Sequence, residues 1–355
     1  MTQDRTAATV TPRQVLAWVD LVDGSPLYTT LGRITAAEPR LMEIVAQLTA
    51  TPPMNVFLGA IKFHLQPDDA LAAYYPHLTA VRNPDSDLAA IFTDHVLKHR
   101  DQILATALNR TTQTNEVGRC AAILPWLSGL AARLTVGETD TGVHAVEVGS
   151  SAGLNLCLDH FDYEYTGASA GRVGAAARDA RKSGVVLRCE NRGGFGVPLH
   201  PPRMASRTGI DLSPIDVSDP DQLEWLEALV WPEHLERHEA LRAAARVRAT
   251  LPVTQIAGDA AEHLWHVHRE LPPGPMLIWH TVMLYQLDQV TRSRLDDAVA
   301  AIAAQRPVAR LGMESRPGTP FQEIRVGLPG VSARWDDMRP VAVAQSHGRW
   351  IDALP

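Results

Sequence analysis

Residues 145–156 read AVEVGSSAGLNL, and the fold turns on what Gly149-Ser150-Ser151-Ala152-Gly153 does. These five residues satisfy G-x-S-x-G, the strained strand-to-helix turn that carries a serine nucleophile. They equally satisfy a glycine-spaced turn that lets a nucleotide lie against the first strand of a doubly wound sheet. Order along the chain separates the two. A hydrolase elbow sits mid-sheet with several strands before it, whereas everything upstream of about residue 140 reads helical. Leu16, Val19 and Val22 form one apolar stripe, and Leu41, Ile44, Val45 and Leu48 another. DLAAIFTDHVLKHRDQIL (87–104) and EVGRCAAILPWLSGLAARL (116–134) are amphipathic at helical period.

After Gly142 the texture changes to short apolar runs separated by helix-length segments. The runs are VHAVEV (143–148), the stretch ending TGID (208–211), VTQIA (253–257), MLIWH (276–280), VARLGM (308–313), EIRVGL (323–328) and PVAVAQ (340–345). Such alternation predicts an α/β sheet with parallel crossovers, and the last two runs, joined by a loop, fit an antiparallel ending. An irregular insertion at about 162–206 lies between the first two runs. Its stretch from 166 to 207 holds eight Lys or Arg against two acids, which suits either a solvated loop or a flap meeting an anionic ligand. The expected division is an α-helical lid or substrate domain over 1–140 and a cofactor-binding sheet domain over 141–355.

Polar groups close four successive runs. Glu147 stands two residues before Gly149, where a nucleotide-binding turn uses a carboxylate and a hydrolase elbow needs none. Gly149 can adopt a backbone conformation that a Cβ penalises, and Gly153 permits close approach of helix and ligand. A helix expected from near Leu154, with Asn155 in its first turn, would turn unpaired N–H groups toward an anion. Asp211, followed by Leu212, ends the second run as a candidate ribose partner. Asp259, followed by Ala260, ends the third and could meet an adenine edge. His280 ends the fourth, where a neutral imidazole could take a proton or simply be a satisfied core residue. Tyr285, in the segment beyond, reads mainly as packing.

Glu147-Val148-Gly149-Ser150-Ser151-Ala152-Gly153, Gly209-Ile210-Asp211-Leu212-Ser213-Pro214 and Gly258-Asp259-Ala260 resemble the successive cofactor motifs of Rossmann-like S-adenosylmethionine-dependent methyltransferases. The resemblance runs from about residue 142 to the end and implies a seven-stranded sheet behind the helical domain. The whole chain is also similar to a bacterial family known only as a domain of unknown function. Gln113-Thr114-Asn115-Glu116-Val117-Gly118-Arg119, Trp231-Pro232-Glu233 and His347-Gly348-Arg349-Trp350 carry that likeness. Two departures stand out: Ser151 occupies a position often held by glycine, and Asp211 lies nearly sixty residues beyond Gly153 instead of about twenty. Glu190, ending VVLRCE, is an alternative ribose partner.

The resemblance implies S-adenosylmethionine as cofactor, S-adenosylhomocysteine as product and a small-molecule acceptor methylated at oxygen or nitrogen. Gln113, Asn115, Glu116 and Arg119 precede an apolar helix that leads into the first strand. They read as a helix start capped by Thr114 or Asn115, as groups covering the cofactor, or as both. Arg119 suits a carboxylate, and Glu116 or His280 would deprotonate an alcohol or ammonium acceptor. His347 and Arg349 are as well suited to an interior role as to catalysis. A serine hydrolase using Ser151 and a non-catalytic metabolite binder are the competing readings.

Bulk properties narrow the field. A net charge of -7 argues against a general nucleic-acid surface. MTQDRTAATVTPRQ lacks the pattern of a secretory signal, and no apolar run is long enough to span a bilayer, so a cytoplasmic location is expected. Cys120, Cys157 and Cys189 lie far apart, which predicts buried thiols and suggests neither disulfides nor a metal site. The oligomeric state stays open, with a homodimer among the options.

Overall fold

The computed structural model describes residues 10–50, 52–79, 82–136, 142–174, 184–316, 318–328 and 334–354. The chain forms two compact units, one of residues 1–114 with 219–239 and the other of 115–218 with 240–355. The boundary expected near 140 therefore falls at 114/115. Residues 219–239, expected within the sheet domain, belong to the helical unit.

Every regular element of that first unit, among its described residues, is helical. It comprises α1 (Pro12–Val19), α2 (Pro26–Ala37), α3 (Pro39–Val45), α4 (Pro53–His64), a 3-10 turn (Ala70–Tyr74), α5 (Leu88–Lys98) and α6 (Arg100–Asn109). It also takes in α8 (Pro220–Leu229), whereas α7 (Arg119–Leu134) lies in the second unit and α9 (Leu235–Arg248) spans the division at 239/240. Prolines open the first four helices, where the missing N–H would have no intrahelical acceptor. Thr11 and Gln14 close a capping box on α1. The core gathers Leu31, Leu41, Ile44, Phe57 and Phe92 with Trp225 and Leu229 of α8. On α1 the buried stripe is Val15, Trp18 and Val19; the expected Leu16 points to solvent. Trp231-Pro232-Glu233 has a structural task here, since Glu233 accepts hydrogen bonds from the Ser25 hydroxyl and the Leu27 N–H at the start of α2. Buried Lys62 donates to the carbonyls of Glu227 and Val230 at the end of α8, where the helix leaves carbonyls short of donors and its dipole favours a cation.

The second unit is built on one mixed sheet of eleven strands, ordered β3-β2-β4-β11-β10-β9-β8-β7-β1-β5-β6. All seven expected runs are strands: β1 (Val143–Val148), β5 (Met204–Asp211), β6 (Thr254–Ala257), β7 (Met276–Thr281), β8 (Val308–Ser315), β9 (Gln322–Gly327) and β10 (Arg339–Ala344). The first five run parallel, and β9 and β10 supply the antiparallel ending. From β1 the chain moves outward to β5 and β6, then returns to the other side of β1 through β7 and β8. Strand order thus reverses between β1 and β7, the place where open α/β sheets bind ligands.

Four further strands correct the expected count of seven. The insertion expected to be irregular supplies β2 (Asp162–Gly167), β3 (Gly171–Val173) and β4 (Val186–Asn191), although its residues 175–183 lie outside the described ones. β11 (Trp350–Ala353) pairs antiparallel with β10 and parallel with β4, joining the insertion to the sheet. Strand β4 alternates strictly, with Leu187, Cys189 and Asn191 inward.

Along β1 the two-residue period sends Val146 and Val148 to one face. There they pack with Leu264 and Val267 of α10 (Ala260–Glu270) and with Leu295, Val299 and Ile302 of α11 (Gln289–Ala303). Glu147 and its register partner Trp279 take the opposite face, toward α7. All three cysteines are buried free thiols, as expected. Among the described residues no helix is long and apolar enough to cross a membrane.

Candidate functional site at the carboxyl end of the central strand

Beyond β1 the backbone bends sharply. Gly149, Ser151 and Gly153 all take positive φ, at 71°, 49° and 70°. For Ser151 that conformation is strained, of the order of 1–3 kcal/mol. The strain is held by hydrogen bonds from outside the turn. Asp211 Oδ2 accepts from Ser151 N–H at 2.8 Å, Gln255 donates to Ser151 O at 3.0 Å, and Asn115 Oδ1 accepts from Leu154 N–H at 2.9 Å. A Cβ at Gly149 would lie 3.1 Å from Met283, and one at Gly153 3.0 Å from the Gln255 side chain, so at both positions a side chain would be crowded as well as strained by the positive φ.

The segment after the turn differs from expectation. Instead of an α-helix there is a six-residue 3-10 stretch, Asn155–His160, which runs directly toward β2. The expected helix dipole is therefore missing. Asn155 is buried and faces inward, donating to Glu147 Oε1 at 3.0 Å and accepting from the Cys120 thiol at 3.3 Å.

Glu147 is the most unusual group in this region. It is 1% exposed; Oε1 has the Asn155 partner, whereas Oε2 is buried without one. Burial pushes its pKa up from 4.5 to about 8, against the opposing polar influence of Asn155 and the Trp279 indole. The Ser151 hydroxyl is likewise buried without a partner. Arg119 approaches from α7, its Nε donating to Ser346 O at 3.0 Å and Nη1 lying 3.5 Å from Thr281 Oγ1 at the tip of β7.

Two distant motifs meet here. Gly118 and Gly348 are in back-to-back contact: a Cβ on Gly348, which has φ of 77°, would overlap the Gly118 carbonyl, and a Cβ on Gly118 would overlap the His347 carbonyl. NEVGR and SHGRW are thus two halves of one junction, and His347 contributes its backbone, not its imidazole, to the contact with Gly118. Gly348→Ala is expected to cost about 1–3 kcal/mol, because crowded backbone must separate. Urea unfolding would measure it, and a variant as stable as the native chain would contradict this junction.

Several expected contacts are placed otherwise. Helix α7 begins at Arg119 behind Gly118, so neither Thr114 nor Asn115 caps it; Asn115 holds the Leu154 N–H instead. Glu116 is buried and accepts from Gly118 N–H. Gln113 falls in the first unit, whereas Asn115, Glu116 and Arg119 belong to the second. Asp211 spends its two oxygens on the Ser151 and Ser213 N–H groups. Asp259 caps α10 through Ala261 N–H and pairs with Arg294, while Ala260 is the first helical residue and Leu212 is 75% exposed. Glu190 sits on β4, five strands from β7, beside Arg192. Tyr285, expected to pack, is 52% exposed.

His280 is a core residue and not a base for this site. It is fully buried and paired in register with Val148, so it points to the α11 face, away from Glu147. Nδ1 contacts Glu314 Oε1 at 2.6 Å, and Nε2 meets the Arg310 guanidinium at 3.1–3.2 Å. Arg310 can only donate, so Nε2 accepts and Nδ1 carries the proton. Burial and the neighbouring Arg310 lower the His280 pKa, consistent with a neutral ring. Glu314 Oε2 also accepts from Met283 and Leu284 N–H, which fixes the loop whose Met283 covers Gly149. No sequence reading singled out Glu314 or Arg310; polar residues inside an apolar strand, VARLGMES, were the available signal.

A groove lined by Ser128, Thr135, Val143, His200 and Arg203 opens at the amino end of β1, the edge opposite Glu147. The chain belongs to the family described as uncharacterized proteins conserved in bacteria, DUF2332, which matches residues 16–353. No match is found among curated proteins.

Proposed function

We propose that this member of the DUF2332 family is an S-adenosylmethionine-dependent methyltransferase acting on a small-molecule acceptor, with S-adenosylhomocysteine as product. The observation that carries the reading is Glu147. A carboxyl group at the tip of the central strand, at the reversal of strand order and beside a turn of left-handed residues, keeps one oxygen buried without a hydrogen-bond partner. Such an orphan costs about 1–3 kcal/mol unless a ligand satisfies it.

The donor set suits the amino-acid and ribose parts of the cofactor. Glu147 would hold an ammonium and Arg119 a carboxylate, while Asp211 at the next strand tip would meet ribose hydroxyls. Gly149, Ser151, Gly153, Asn115 and Asn155 would shape the wall. When bound, the cofactor supplies an electrophilic methyl group on a sulfonium, and positioning the acceptor in line with it can be worth about 7–11 kcal/mol. With His280 committed to Glu314 and Arg310, Glu116 is the base left for an alcohol or ammonium acceptor. A hydrolase reading has less support, because the Ser151 hydroxyl has no hydrogen-bonded imidazole.

Calorimetry with S-adenosylmethionine and S-adenosylhomocysteine tests the proposal. The native chain should bind both. Gly153→Val and Glu147→Gln should each weaken binding at least tenfold, and Ser151→Ala should retain it. An ammonium needs the charged form of Glu147, so affinity should rise roughly tenfold per pH unit up to about 8, with proton release below that pH. Binding of neither compound by the native chain would overturn the cofactor assignment, and binding without turnover across an acceptor panel would make the protein a sensor.

A further inference from the structure

A second group of unsatisfied side chains lies in the helical unit. His95 is on α5 and His99 caps its end, so a four-residue spacing places both imidazoles on one helical face, with ring centroids 4.8 Å apart. Asp69, which directly precedes the 3-10 turn, brings Oδ1 to 3.9 Å from His95 Nδ1. Its other oxygen accepts the Gln66 N–H and is thereby oriented. One donor atom from each of the three residues lies within 4.8 Å of the others.

Burial makes this more than a surface coincidence. His95 is 9% exposed, and Nε2 of both His95 and His99 is buried without a hydrogen-bond partner. Each imidazole thus has a ring nitrogen with no hydrogen-bond partner, while the His95 nitrogen nearest the Asp69 carboxylate is Nδ1.

We propose that Asp69, His95 and His99 bind a divalent transition-metal ion, with Zn²⁺ the best match to two imidazoles and one carboxylate. Zinc ligands at about 2.0–2.2 Å in a tetrahedron stand about 3.3 Å apart, so closing the shell takes side-chain shifts of about 1–1.5 Å. Three protein ligands leave a fourth position for water. The site is independent of the methyltransferase reading. Cysteine spacing gave no sign of it, because its ligands are a helical His-x3-His pair and an aspartate 26 residues away.

The test uses the full chain, stripped with chelator and titrated with Co²⁺ and then Zn²⁺. Expected are the visible absorption of four-coordinate Co²⁺ at one equivalent, its displacement by Zn²⁺ and a rise in Tm with Zn²⁺. His95→Ala and His99→Ala should each weaken Zn²⁺ binding at least tenfold, whereas His263→Ala, outside the cluster, should not. Should His95→Ala fail to fold, the half-buried His99→Gln decides. Absence of one-equivalent binding by the native chain, or binding unchanged in the His99 variants, would overturn the proposal.

Discussion

Glu147→Gln should abolish a pH dependence of stability that the native chain carries between about pH 4.5 and 8. The native carboxyl titrates near 8 when folded and near its ordinary 4.5 when unfolded, so between those values the folded state holds the extra proton. Stability contributed at this position is therefore full below the unfolded value and declines as pH rises, levelling off beyond about 8. At about 1.4 kcal/mol per pKa unit, the window amounts to several kcal/mol. Glutamine keeps an acceptor for Asn155 and has no proton to lose.

The native-minus-variant difference in urea stability isolates this effect, because buried histidines such as His144 and His280, with lowered pKa values, titrate with the opposite sign in part of the same range. The difference should fall steadily from pH 5 to 8 and then flatten. A difference independent of pH would mean that Glu147 is ionised in the folded chain, and the orphaned oxygen would lose its significance. Saturating S-adenosylmethionine should reduce the slope, since an ammonium at Oε2 would stabilise the charged form.

Arg310→Met should cost about 3–5 kcal/mol, the usual penalty for removing one partner from a buried charged network. Arg310 is 1% exposed and joins Asp296 of α11 at 2.5 Å to the His280 ring. Its removal leaves Asp296 without that partner and His280 Nε2 without its guanidinium donor. The damage should extend to the 283–284 loop, which Glu314 holds on the far side of His280. Combining Arg310→Met with Asp296→Leu should recover part of the loss, because the stranded carboxylate is then gone. Urea unfolding of the two single variants and the double variant gives the coupling. Additive losses would show that Arg310 and Asp296 are not coupled.

Much of this architecture was legible in local sequence. The seven apolar runs became seven strands because each combined β-rich composition with a polar residue or glycine at its end. The positive φ at Gly149 was readable from residue type alone, whereas Gly153 was read for close approach and the positive φ at Ser151 gave no sign in the sequence. The missed strands each had a local reason. β3 and β11 are three and four residues long, too short to show a period. β2 and β4 lie in a glycine- and arginine-rich context that resembles loop. In the candidate site, Glu147 and the NEVGR motif were visible as polar groups flanking apolar runs. His280 looked equally suitable because it too ended a strand.

Amino-acid order by itself determined the helical amino-terminal region, the succession of parallel crossovers and the left-handed turn after the first strand, since period and φ tolerance belong to a few consecutive residues. Tertiary structure alone decided that Glu147 and His280 face opposite sides of the sheet, that NEVGR closes against SHGRW, and that Asp211 serves the backbone of Ser151. Each of those outcomes depends on register and on partners dozens to hundreds of residues away, where pairing between strands, not local preference, sets which side chain meets which.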